Sequence, residues 1–169
     1  MVILRIKKEE NYYFYVGHAI LNPMNELSLS SILLVDDDEI SNLFNRIFIG
    51  KLNIDTSVEV ASNGLEALDF LELIDKNKSI RPTILPCLLL LDIKMPKMNG
   101  WEFLKVYEEK VSRVIRDQIV IVMLTTSEDE GDVVAAMKSP NVKKFIQKPL
   151  SEEKFAELIN AYFKGINVE

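Results

Sequence analysis

Four polar groups each stand directly after an apolar run: Asp36-Asp37 after Ile32-Leu33-Leu34-Val35, Asp92 after Leu88-Leu89-Leu90-Leu91, Thr125-Thr126 after Val122-Met123-Leu124, and Lys148-Pro149 after Phe145-Ile146-Gln147. If those runs lie side by side, three carboxylates, two hydroxyls and an ammonium meet at one edge. Carboxylates brought within about 4 Å of one another repel by roughly 4 kcal/mol per pair at an effective dielectric near 20, so a cation has to offset them. Donors confined to carboxylate, backbone carbonyl and water suit Mg²⁺, which keeps part of its hydration shell and bridges protein to phosphate. Lys148 supplies a second, fixed positive charge. A carboxylate that faces both cations can attack a phosphoryl donor, because the two together neutralise charge on the equatorial oxygens.

The elements that must position these groups follow from the hydropathy pattern. From Ser31 onward, short β-branched or leucine-rich runs alternate with stretches of helical period, the signature of a parallel sheet covered on both faces. Strands are expected at 31–35, 57–61, 87–91, 119–124 and 143–147. Ile40, Leu43, Phe44, Ile47 and Phe48 share one helical face, which fits a first crossover helix, and Phe155, Leu158, Ile159, Tyr162 and Phe163 repeat the spacing in a closing helix with Ser151 as its N-cap. Helices over about 64–76, 100–111 and 128–138 complete a (βα)₅ order, and 77–86, with two prolines, reads as a long loop. In such α/β sheets, ligands bind beyond the carboxyl ends of the strands, where the polar groups stand.

Ile32-Leu33-Leu34-Val35-Asp36-Asp37, Leu90-Leu91-Asp92-Ile93-Lys94-Met95-Pro96-Lys97-Met98-Asn99-Gly100, Val122-Met123-Leu124-Thr125-Thr126 and Phe145-Ile146-Gln147-Lys148-Pro149 resemble the receiver domain of two-component response regulators, over Ser31 to about Gly165. The resemblance implies a doubly wound, flavodoxin-like α/β fold with strand order 2-1-3-4-5. It implies Asp92 as phosphoacceptor, Asp37 as a direct Mg²⁺ ligand, Asp36 as a ligand acting mainly through water, and the Lys94 backbone carbonyl as a further ligand. Thr125 would hydrogen-bond the phosphoryl group, small Thr126 would leave room for its entry, and Lys148, joined to Pro149 by a cis bond, would pair with its oxygens. Phe145 would follow Thr125 and carry the signal to the face of the fourth helix, fifth strand and fifth helix. The implied role is a signalling switch, not an enzyme acting on other substrates. A sensor histidine kinase or histidine phosphotransfer protein would donate the phosphoryl group, and an unidentified protein target would read it; homodimerisation on activation is left open.

The chain departs from the family in two respects. Asn99 stands where Asp is frequent, a conservative change at a helix N-cap. Lys94 and Ser127, two residues after Asp92 and Thr125, offer no carboxylate or carboxamide to orient a hydrolytic water, so a long-lived phosphoaspartate is expected. The same Lys94 argues against a metal-dependent phosphohydrolase, which needs a second Asp there. No Gly-x-Gly-x-x-Gly or Gly-x-x-x-x-Gly-Lys pattern supports a nucleotide-binding domain. A purely structural module would leave the four polar strand ends without a reason.

The bulk properties agree. The chain of 169 residues, 48% apolar, has material for one ordinary core over 31–169. A net charge of −6 and a pI near 5.0 disfavour nucleic-acid and anionic-membrane partners. The lone Cys87 excludes an internal disulfide and fits a cytoplasmic setting; it reads as a small buried hydrophobe. No run reaches the roughly 18–20 apolar residues that span a bilayer. Asp38 reads as a helix cap and Trp101 as packing, while His18 is assigned no role. Residues 1–30 do not share the alternation: they are an extension that could form a hairpin of 2–6 and 12–16 or stay poorly ordered, and Met24 is an alternative start. With the chain ending shortly after Gly165, output is expected through protein contact.

Overall fold

The computed structural model describes the backbone of residues 3–8, 11–16 and 19–21, and the whole of 28–126 and 139–163. The first group forms a three-stranded antiparallel sheet in the order β1 (Ile3–Lys8), β2 (Asn11–Val16), β3 (Ala19–Leu21). The hairpin is thus present, with Ile3 opposite Val16 and Lys8 opposite Asn11, and a short third strand joins it that the pattern did not foretell. His18 lies outside the described residues.

The second sheet has five parallel strands, β4 (Ser31–Val35), β5 (Ser57–Ala61), β6 (Cys87–Asp92), β7 (Ile119–Thr125) and β8 (Val142–Gln147), in the order β5-β4-β6-β7-β8. That is 2-1-3-4-5 counted from Ser31, as expected. Register aligns the three central strands: Val35 faces Leu91, and Leu91 faces Met123, so their carboxyl ends finish level. Side chains alternate across the sheet. Leu33, Val35, Leu89, Leu91, Ile121 and Met123 belong to one buried cluster, while Ile32, Leu34, Leu88, Leu90, Val122 and Leu124 belong to the other. Burial on both faces is why these strands are continuously apolar.

The crossovers are α1 (Glu39–Lys51), α2 (Gly64–Lys76), α3 (Arg81–Ile84), α4 (Gly100–Lys110) and α5 (Arg113–Arg116), and α6 (Glu152–Tyr162) closes the fold. The expected helix over 128–138 lies outside the described residues. The 77–86 stretch, read as a loop, contains the single turn α3, with Pro82 in its first turn where a missing N–H costs nothing, and a cis Leu85–Pro86 bond. The short α5 was also not anticipated. In α6 the expected apolar face is the core face: Phe155, Leu158, Ile159 and Phe163 are buried, and the Ser151 side chain accepts from Lys154 N at 3.3 Å.

In α1 the helix is where the pattern puts it, but all of its expected apolar face except Phe48, which is half-buried against the cluster of Leu34, is turned outward. Ile40, Leu43, Phe44 and Ile47 are 65, 58, 53 and 46% exposed, and the residues that face inward are Asn42, Asn45 and Ile49. The amphipathic rule that an apolar stripe seeks the core therefore fails here. Two polar bonds set the rotation of the helix: Asp38 Oδ1 accepts from Ile40 N at 2.9 Å, and Asn42 Nδ2 donates to the Asp36 carbonyl at 2.9 Å, which requires the Asn42 side to face the sheet.

Candidate functional site

Each polar strand end reaches the same rim. Asp36 follows β4 and is buried; its Oδ1 accepts from Asp38 N at 3.0 Å, which fixes the carboxylate at the strand exit. Asp37 beside it is exposed, and Asp38 is the N-cap of α1, as its position implied. Asp92 is the last residue of β6, also buried, with Oδ2 accepting from Lys94 N at 2.9 Å. Thr125 ends β7 and is buried, and Thr126 after it is exposed.

Lys148 comes in from β8. Its backbone N donates to Thr125 O at 2.7 Å, which holds the residue level with the end of β7, and the Lys148–Pro149 bond is cis, as expected. Its Nζ lies 2.6 Å from Asp36 Oδ2 and 2.7 Å from Asp92 Oδ1, so one ammonium bridges the two buried carboxylates. Burial pushes the Asp92 carboxyl above the ordinary range and the negative charge of Asp36 adds to it, while the bonds to Lys148 and Lys94 N pull the other way. For Lys148, burial favours loss of the proton, but the bonds to Asp36 and Asp92 outweigh it and hold the ammonium above its usual value.

The three carboxylates offer oxygens that all lie within 4.8 Å of one another. This hard, all-oxygen set matches a small divalent cation such as Mg²⁺. The exposed Asp37 is the carboxylate of the three that Lys148 leaves unengaged, which suits it to direct ligation.

Gly100 holds the loop after β6 in place. A Cβ there would meet Asp92 O at 2.5 Å and Ile93 Cα at 3.2 Å, so only glycine lets the start of α4 approach the strand end this closely. Asn99 caps α4 in a full capping box with Glu102. Phe145 is half-buried and packs against the cluster of Leu33 and Phe103. Ser127 lies outside the described residues.

Sequence reasoning overlooked two supports. Asn42 ties α1 to the Asp36 carbonyl; a polar residue on the side of the helix opposite its apolar stripe reads as solvated, so no signal singled it out. Gly64 donates from its N to Met98 O at 3.0 Å, and a Cβ there would strike Met98 Cγ at 2.7 Å, so α2 braces the loop that carries Lys94. A glycine opening a helix just after an Asn cap is the one trace of this in the sequence.

Comparison with known proteins gives a consistent set. The family model of the response regulator receiver domain matches residues 32–160. The probable methanogenesis regulatory protein FilR2 of Methanothrix harundinacea is 33% identical over 139 residues, which cover 80% of this chain and 84% of that protein. Two longer curated relatives are matched over 51% of their length. Among solved structures, a two-component response regulator from Cytophaga hutchinsonii superposes with a TM-score of 0.66 at 25% identity, covering 80% of this chain and 97% of that one. The Mn²⁺-bound form of response regulator Rcp1, a protein of Synechocystis sp., gives 0.58 at 25% identity over 78% of this chain and 89% of that one.

Proposed function

This chain belongs to the response regulator receiver family of two-component signalling, and from that premise we propose that it is a phosphoacceptor switch in which Asp92 is the nucleophile. The observation that carries the reading is the Lys148 ammonium bridging Asp36 and Asp92 beside a third carboxylate at the ends of adjacent strands. An Asp92 carboxylate oxygen attacks the phosphorus of a histidine phosphate, the P–N bond breaks, and its electron pair leaves with the imidazole, which takes up a proton. Asp37, Asp92 and the Lys94 carbonyl would hold Mg²⁺ directly and Asp36 mainly through water, and the ion would supply neutralisation of charge on the transferring group; that Rcp1 has been solved with Mn²⁺ supports a divalent ion here. Lys148 moves from the Asp36 and Asp92 carboxylates to the phosphoryl oxygens, and Thr125 donates its hydroxyl to the same group, with Thr126 leaving the entrance open.

Phe145 follows Thr125 inward, and the change is read by a protein target on the face that the resemblance assigns to the fourth helix, β8 and α6; the chain acts on itself and not on other substrates. The donor, a sensor histidine kinase or a histidine phosphotransfer protein, docks on the outward face of α1. A cavity of about 450 Å³ between α1 and the 148–151 turn, lined by Ile40, Phe44, Phe48, Lys148, Pro149 and Leu150, shares Lys148 with the acceptor site and would take an apolar helical surface. Residues 1–30 precede the receiver unit of 31–169 as a separate extension. The acidic charge, the buried lone Cys87 and the absence of any helix long enough to cross a membrane among the described residues fit a cytoplasmic site of action.

Incubation with acetyl phosphate and Mg²⁺, followed by intact mass, tests the reading. The native chain is expected to gain one phosphoryl group and Asp92→Asn none; equal labelling of the two overturns the assignment of Asp92.

A further inference from the structure

At the opposite end of the sheet from Asp92, where β7 and β8 begin, Tyr107 of α4, Arg113, Arg116 and Asp117 around α5, and Asn141 and Lys143 at the start of β8 surround a cavity of about 340 Å³. The geometry points to a binding site for a small dianion of phosphate type in this cavity.

Three cations and one carboxylate line it, a local excess of two positive charges in a chain whose net charge is −6. This local excess stands out from the acidic remainder of the chain, and its sign matches a doubly charged anion. Asp117 does little to neutralise it: its contact with Arg113 Nε is 3.5 Å long, with both side chains largely in solvent, where an ion pair contributes little.

The inner wall separates this site from a solvated basic surface. Arg116 Nε is buried and has no hydrogen-bond partner among the described residues. An unpaired guanidinium nitrogen shielded from water costs free energy unless a ligand meets it. Tyr107, 1% exposed, lines the same cavity. Burial pushes that phenol well above its usual range and the Arg116 charge draws it partly back, so the group is a protonated donor lying within reach of the guanidinium's field. Asn141 is steadied at the rim, its Nδ2 donating to Glu108 Oε1 at 2.6 Å. Arg113, Arg116, Lys143 and the Tyr107 hydroxyl supply N–H and O–H donors around the cavity against the single carboxylate of Asp117, a balance that suits phosphate oxygens.

The test is a titration of the ¹⁵N-labelled chain with inorganic phosphate, without Mg²⁺ and in an Asp92→Asn background that removes the phosphoacceptor. The expected result is saturable amide shifts centred on residues 107, 116, 141 and 143, with binding at least about tenfold weaker in Arg116→Gln, as for loss of a charge-assisted bond. Tyr107→Phe, which removes the hydroxyl and keeps the packing, is expected to weaken binding as well. If Arg116→Gln fails to fold, Lys143→Gln at the exposed mouth replaces it, with a several-fold loss expected. Shifts reproduced by sodium chloride at equal ionic strength, equal affinity in these variants, or phosphate binding by the native chain but not by Asp92→Asn would each overturn the proposal. None of these outcomes bears on the labelling of Asp92 by acetyl phosphate.

Discussion

Between Asp36 and Asp92 the ammonium of Lys148 already occupies the position of a neutralising cation, at 2.6 and 2.7 Å from the two carboxylates. In the proposed reaction its transfer to a phosphoryl group would be an exchange of one anionic partner for another, without a net move of charge out of water. The lifetime of the phosphoaspartate depends on side chains able to orient water, and Lys94 and Ser127 carry neither carboxylate nor carboxamide. The phosphorylated chain, freed of acetyl phosphate and held in Mg²⁺, is expected to keep its label for hours; replacing Lys94 by Asn is expected to shorten the lifetime several-fold, as read from the decay of the phosphorylated mass. Cys87 carries a separate prediction. Burial pushes its thiol from 9.0 up to about 11, with Ser31 and Leu33 opposing. The folded chain therefore keeps a proton that the unfolded chain releases above its ordinary thiol pKa, and stability falls as pH rises from about 9 to about 11. In urea melts across that window the native chain is expected to lose stability more steeply than Cys87→Ala.

The exposed stripe of α1 belongs to the scale of the element. Since Ile40, Leu43, Phe44 and Ile47 stand in solvent, their removal costs little packing. Leu43→Ser with Phe44→Ser is expected to leave stability within about 0.5 kcal/mol per substitution and the acetyl phosphate labelling unchanged. Transfer from a cognate phosphohistidine donor is expected to slow at least about tenfold, as for loss of apolar anchors at an interface. Comparing the two donors in one assay separates docking from chemistry: slowing of both would place these residues in the acceptor site and not on a docking face. The other helices behave conventionally, α6 turning its stripe to the core with only Tyr162 partly exposed and α4 beginning on a capping box.

At the scale of the whole molecule, two apolar layers clamp the sheet whose carboxyl edge carries the cluster of Asp36, Asp92 and Lys148, so core integrity and site geometry are coupled. Leu90, fully inside and two residues before Asp92, is the sharpest probe: Leu90→Ala is expected to cost about 2–5 kcal/mol in a denaturant melt, with the labelled fraction at saturating acetyl phosphate tracking the folded fraction. Much of this architecture is legible in the chain alone. Strand positions follow from doubly buried runs such as Leu88–Leu91, whose apolar character is a local property, and the polar groups that end those runs are visible as residue types at fixed places. Resemblance to a family then supplied the strand order, which no local pattern encodes. Folding decided the rest, because it depends on which distant groups meet. The rotation of α1 goes with two bonds at its start, from Ile40 N to Asp38 Oδ1 and from Asn42 Nδ2 to the Asp36 carbonyl, against the pull of its own apolar stripe. Lys148 and Asp36 meet across 112 positions of sequence. The cavity that draws Arg116 and Tyr107 against Lys143 exists where α4, α5 and β8 converge, and periodicity within any one segment is silent about convergence.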